Sequence, residues 1–186
     1  MLNSRTLRFA PASQKELIVF GAARPGYRSE QVSEWIEFMR RQDVQRICCL
    51  LTNSQLARYT DLLDTYRQAF EPDRVGWTPI KDFRLADSTT LIHQVLPFLS
   101  IAKEKQEKVV VHCSAGVGRT GQVLAAWLVA ERGFSNQAAL SSVRALKRNP
   151  YEAAIAAPFR GRSPWKVTSE LHQLLNKCRQ SQGKPD

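Results

Sequence analysis

Val109-Val110-Val111-His112-Cys113-Ser114-Ala115-Gly116-Val117-Gly118-Arg119-Thr120-Gly121-Gln122-Val123-Leu124 is the stretch whose reading decides the fold. Three β-branched residues in a row predict a buried strand, and Gly116 and Gly118 free the next turn for positive φ. Gln122 to Leu128 then opens a helix. A strand, a tight loop and a helix in that order set the loop on a helix N-terminus.

Successive backbone N–H groups over residues 114 to 119, that is Ser114, Ala115, Gly116, Val117, Gly118 and Arg119, then point into one concavity, and the helix dipole adds positive potential there. Such a loop binds an oxyanion. Cys113 adds a thiol at its start, which the N–H groups, the dipole and Arg119 are expected to hold as thiolate. Arg119 offers a planar fork able to grip two phosphoryl oxygens, a task for which lysine is a poor replacement. Thr120 brings a hydroxyl beside the sulfur, to help it leave in a second step; a helix N-cap is its other reading.

The run His112-Cys113, five residues, Arg119-Thr120-Gly121 resembles the signature of the cysteine-dependent protein tyrosine phosphatase superfamily. The resemblance implies a three-layer α/β fold with a mostly parallel sheet between helices. It also implies a phosphate monoesterase working through a cysteinyl-phosphate, with His112 orienting the loop and lowering the thiol pKa. No metal or other cofactor is expected. The chain looks like the compact, dual-specificity branch over roughly residues 5 to 180. Low-molecular-weight phosphatases carry loop and acid in the reverse order, sulfurtransferases lack the Gly116, Gly118 and Thr120 pattern, and the large tyrosine phosphatase domains are longer.

Leaving-group departure needs a proton from outside the cysteine loop. Asp82 lies 31 residues before Cys113 in Pro79-Ile80-Lys81-Asp82, after a predicted strand, and resembles the family's general acid. Asp87 competes for the role, but it directly precedes Ser88-Thr89-Thr90 and a helical pattern, so it reads better as a cap. Phe83 would border the pocket mouth against an aromatic ring, and Arg84 would lie near acidic flanking residues of a substrate.

Around these motifs, strands are predicted over Arg5–Ala10, Glu16–Phe20 and Gln45–Thr52, and helices over Ser29–Gln42, Asn53–Phe70, Gly121–Arg132, Ser135–Lys147 and Ser169–Arg179, before a polar tail expected to fray. Another helix follows Asp87. Alternation of strand and helix argues an α/β sandwich in one domain over residues 1–186. Arg24, in the Arg24-Pro25-Gly26 loop, could reach the phosphate side but reads first as a solvated loop arginine. Asn149 and Glu152 lie where relatives position the hydrolytic water, yet Asn149-Pro150 reads as turn chemistry. Cys48 and Cys49 read as core; the resemblance also allows a reversible Cys49–Cys113 disulfide.

Four irregularly spaced cysteines make neither a disulfide framework nor a zinc site, and a catalytic thiolate needs a reducing compartment, so the cytoplasm is expected. The acid-free opening Met1–Ala10 is also compatible with a short transit peptide. No apolar run reaches the ~18 residues of a membrane span. Net charge is +10, and Arg132 to Asp186 supplies +7 of it. That basic third suits acidic partners, or is simply a solvated face. The expected substrate is a phosphorylated protein, phosphotyrosine first, with phosphoserine and phosphothreonine next, and the chain is expected to act as a monomer. Phosphoinositides, RNA 5′-phosphates and a non-catalytic phosphate reader are the rivals. Ala115 and Val117, where lipid phosphatases often carry lysines, weigh against a polyphosphorylated headgroup.

Overall fold

The computed structural model describes residues 3 to 181, so Met1, Leu2 and the tail expected to fray beyond Ser181 lie outside the described residues. Five strands form one sheet: β1 (Ala10–Pro11), β2 (Val19–Ala23), β3 (Val44–Cys49), β4 (Val75–Trp77) and β5 (Lys108–Cys113). Their order is β1-β2-β5-β3-β4, with β1 antiparallel and the rest parallel. β5 is thus central, and its alternating side chains feed two cores. Val109 and Val111 enter one cluster with Leu124, Trp127 and Leu171, whereas Val110 enters the other with Trp35, Tyr66 and Met39. This is the three-layer, mostly parallel architecture expected from the sequence.

The first cluster is covered by α5 (Leu96–Glu104), α6 (Gly118–Glu131), α7 (Asn136–Ala145) and α9 (Pro164–Gln180). α1 (Ser29–Arg41) and α3 (Leu62–Phe70) cover the second. The described residues also form the short α-helices α2 (Asn53–Leu56), α4 (Ser88–Thr90), which passes through one π-type turn into α5, and α8 (Glu152–Ile155). No helix among the described residues is long and apolar enough to cross a membrane.

Several boundaries differ from the sequence reading, each for a local reason. The strand expected over Arg5–Ala10 shrinks to Ala10–Pro11, because Asn3 Oδ1 accepts from the Thr6 N–H and Arg8 takes φ 51°, which curls the segment into turns. The next strand starts late: Glu16 turns back to accept from the Ile18 and Val19 N–H groups, and Gly21–Ala23 join the strand by pairing with Val111–Cys113. The single helix expected over Asn53–Phe70 breaks into α2 and α3, since Tyr59 turns inward and donates to the Pro25 carbonyl. The last helix begins five residues early, with Pro164 serving as its first residue.

Candidate active site

The loop from β5 to α6 has the predicted form. Cys113 ends the strand and is 3% exposed. Among the described residues, no N–H of Ser114, Ala115, Gly116 or Val117 donates to a protein acceptor, which leaves the loop lined with free donors at a helix start. Only one of its glycines takes positive φ. Gly116 sits at +68°, against the Ala22 carbonyl, where any side chain would collide. Gly118 is instead the first residue of α6, and it is small because the Glu152 carboxylate packs onto it. Arg148, buried, fixes the loop from behind: it donates to the Gly116 carbonyl and to those of Gly21 (2.7 Å) and Arg8 (2.9 Å). Burial lowers its pKa to about 10, which leaves it cationic at neutral pH.

Arg119 is 1% exposed and held on all sides. Its Nη1 donates to Gln55 Oε1 (2.9 Å) and the Ile80 carbonyl (3.0 Å), and its Nη2 to Ser114 Oγ (3.0 Å). The remaining donor, Nε, is buried without a partner. Asp82 stands at the same fork, with Oδ2 at 3.2 Å from Arg119 Nη2. The candidate nucleophile loop, cation and acid are therefore brought together. Gln122 pins the acid loop to α6 by accepting from the Ala86 N–H (3.0 Å) and donating to the Arg84 carbonyl (3.2 Å). Asp87 does what a cap does: its Oδ2 accepts from the Thr90 hydroxyl and its Oδ1 from the Thr90 N–H at 2.8 Å, and these bonds, the hydroxyl's first, hold its pKa below the usual range.

Thr120 lies inside the first turn of α6 and its buried Oγ1 has no partner, so the N-cap reading fails and the hydroxyl is unspent. His112 is fully buried edge-on to Trp35 and Tyr66, with neither ring nitrogen hydrogen-bonded. Burial first, with the charges of Arg119 and Arg24 after it, brings its pKa down to about 3. The ring packs between these aromatic side chains on the strand that ends in Cys113.

Phe83, 44% exposed, edges a groove of about 520 Å³ shared with Glu152, Ile155, Phe159 and Arg160. Arg160 donates to the Phe83 carbonyl. Asn149 behaves as turn chemistry, its Oδ1 accepting from the Tyr151 N–H (3.2 Å). Glu152 does not: its carboxylate faces the site, and burial followed by the nearby Asp82 raises its pKa, against Arg119 and the Gly118 N–H.

Gln55 is the residue that sequence reasoning missed. It accepts from Arg119 and donates to Ser114 Oγ (2.9 Å) and Asp82 Oδ2 (3.3 Å), joining loop, cation and acid. Its signal was Thr52-Asn53-Ser54-Gln55, a capping box after a strand, in which Oε1 also accepts from the Thr52 N–H. Arg148 had no signal beyond preceding a turn. Cys49 lies in the cluster on the α1 side of the sheet and Cys113 in the opposite one, and burial pushes the Cys49 thiol up to about 12. All four cysteines are free.

Comparison with known proteins agrees with this geometry. Over 68 residues, 37% of this chain, it is 29% identical to human (Homo sapiens) Dual specificity protein phosphatase 5. Over 74 residues, 40% of the chain, it is 39% identical to Protein tyrosine phosphatase domain-containing protein 1 of Danio rerio. The matches span 18% and 10% of those longer proteins. The crystal structure of Tk-PTP in the active form superposes with a TM-score of 0.63 at 25% identity, covering 88% of this chain and 97% of that one. A family profile, "Dual specificity phosphatase, catalytic domain", matches residues 46–154, from β3 to α8. That is more than half of the 186 residues, and the chain belongs to the dual specificity phosphatase catalytic-domain family.

Proposed function

We propose that the chain hydrolyses phosphate monoesters through a cysteinyl-phosphate, with phosphotyrosine in proteins as the preferred substrate and phosphoserine or phosphothreonine next. The observation that carries this reading is the convergence of the free N–H groups after Cys113, the buried Arg119 fork and Asp82 within one hydrogen-bonded cluster. Phosphate oxygens take the N–H groups and Arg119, displacing Asp82 from Nη2. The Cys113 thiolate attacks phosphorus in line, the bond to the leaving oxygen breaks, and protonated Asp82 supplies that oxygen with its proton. Charge on the equatorial oxygens meets fixed dipoles. Water then attacks the thiophosphoryl phosphorus, Asp82 accepts its proton, and the sulfur leaves beside the unpartnered Thr120 hydroxyl. Phe83 at the mouth offers a ring face to an aromatic leaving group.

Cys113→Ser tests this directly. The variant should bind a phosphotyrosine peptide while turnover of 4-nitrophenyl phosphate falls by roughly 10⁴–10⁶-fold, as for loss of other enzyme nucleophiles. Retained turnover in a folded Cys113→Ser protein would refute covalent catalysis.

A further inference from the structure

Beside the Ser114 end of the loop lies a cluster that the reaction does not use. Arg24 follows β2, and its N–H reaches the carbonyls of Cys113 (3.1 Å) and Ser114 (3.2 Å), which locks its backbone to the catalytic loop. Arg58 follows α2, one turn after Gln55, which itself holds Ser114. Both guanidiniums lie on one aromatic ring, that of Tyr27, with their central carbons 3.7 Å and 3.8 Å from its centroid.

Two cations gathered on one ring repel each other, and a tyrosine face returns only ~0.5–1 kcal/mol per cation at an exposed site. Among the described residues neither arginine has a carboxylate within 4 Å. Bracing of the Pro25-Gly26 turn accounts for Arg24, whose Nη1 donates to the Pro25 carbonyl (2.8 Å) and Tyr59 Oη (2.9 Å). It does not account for Arg58. That side chain is exposed and donates to no protein acceptor among the described residues.

We propose that Arg24 and Arg58, stacked on Tyr27, form a second anion subsite that receives a carboxylate or second phosphate of the same substrate whose scissile phosphate fills the Ser114–Arg119 loop. The subsite selects substrates with two anionic groups, at least one of them beyond the reach of Arg119. It rests on the reading that the loop holds phosphate. An acidic residue beside the phosphorylated one in a peptide and a second phosphate on a small ring present the same chemistry.

Binding to the Cys113→Ser protein, measured by calorimetry at low ionic strength, separates these sources. One arm compares phosphotyrosine peptides with Glu or Ala immediately before the phosphotyrosine; the other compares inositol 1,4-bisphosphate with inositol 1-phosphate. In at least one arm the doubly anionic probe should bind about three- to tenfold tighter, the range of an exposed ion pair made with two cations. Adding Arg58→Gln should reduce that ratio, and Arg58→Glu should abolish or invert it, with unchanged melting temperature. A ratio of one in both arms, or a preference that survives Arg58→Glu, overturns the subsite. Turnover of 4-nitrophenyl phosphate by the unsubstituted chain is read separately. Turnover without an Arg58-dependent preference removes the subsite alone, whereas the preference without turnover removes the catalytic reading alone.

Discussion

The two shoulders of the loop between β5 and α6 are unlike. At the Ser114 end stand Arg24, Arg58, Tyr27 and the amide of Gln55, polar and cationic. The Gly118 end carries the Glu152 carboxylate, and beyond it the exposed apolar faces of Phe83, Ile155 and Phe159. Asp82 stands between them, bonded to Gln55 on one side and raising the pKa of Glu152 on the other. A symmetrical anion nest would accept phosphate in any orientation. This one is polarised, so a second anionic group is steered toward Ser114 and an apolar group toward Phe83.

Asp82, placed on the boundary, gives the largest effect expected outside the nucleophile. Asp82→Asn keeps the bonds to Gln55 and Arg119 within reach but cannot release a proton. Hydrolysis of an alkyl or unactivated aryl phosphate should slow by about 10²–10⁴-fold, the usual worth of a general acid. An activated nitrophenyl ester, whose oxygen leaves unprotonated, should slow much less. Equal losses on both esters would mean that the acid lies elsewhere, and since Asp87 is spent on its helix cap, Glu152 on the acidic shoulder becomes the next to test.

The shoulders hang on a common frame, and weakening that frame should not discriminate between them. Glu16 ties the start of β2 to the end of α6: its carboxylate accepts from Arg132 Nε (2.8 Å) and Nη2 (3.0 Å), Trp127 Nε1 (3.0 Å) and the Ile18 N–H (2.9 Å). Burial alone would raise its pKa; Arg132 and then the N–H donors outweigh it and hold the value below the ordinary one. A depressed folded value stabilises the fold above the unfolded pKa of the carboxyl, and the contribution disappears as pH falls through the folded value. Glu16→Gln should therefore cost about 2–4 kcal/mol at pH 7 and lower Tm by roughly 5–15 °C, with the gap to the parent narrowing in acid. At a temperature where both proteins are folded, the selectivity between probes should be the same. A change in it would show that the frame sets the two shoulders apart.

What the sequence revealed divides along the same line. The loop, its strand and its helix were legible because three adjacent valines, paired glycines and an apolar helix agree locally with the tertiary result. Asp87 was separable from Asp82 because capping is a short-range bond. Glu152 reads as part of a turn, since nothing in Asn149-Pro150-Tyr151-Glu152 says that α8 aims its first side chain at a glycine 34 positions earlier. The helix expected over Asn53–Phe70 failed for a related reason: Tyr59 fits helical spacing, but its hydroxyl gains a carbonyl and Arg24 by leaving the helix. Periodicity records which side chains are apolar, while both shoulders depend on polar side chains reaching across elements.

Glu152 gives the smallest effect and the sharpest test of the difference. Its carboxylate lies over Gly118, so in its ionised form it shares the nest with a bound oxyanion and repels it. Sulfate is the suitable probe, because it stays dianionic through the range in which carboxyls titrate. Glu152→Gln should bind sulfate about three- to tenfold tighter at pH 7, a modest gain because the site opens to salt and water. Glu152 titrates above the ordinary glutamate value, so the parent becomes neutral at this position as pH falls through that raised value, and the two affinities should converge there. Equal affinities at pH 7, or a gap that widens in acid, would place Glu152 outside the nest, and the Gly118 shoulder would then be apolar only.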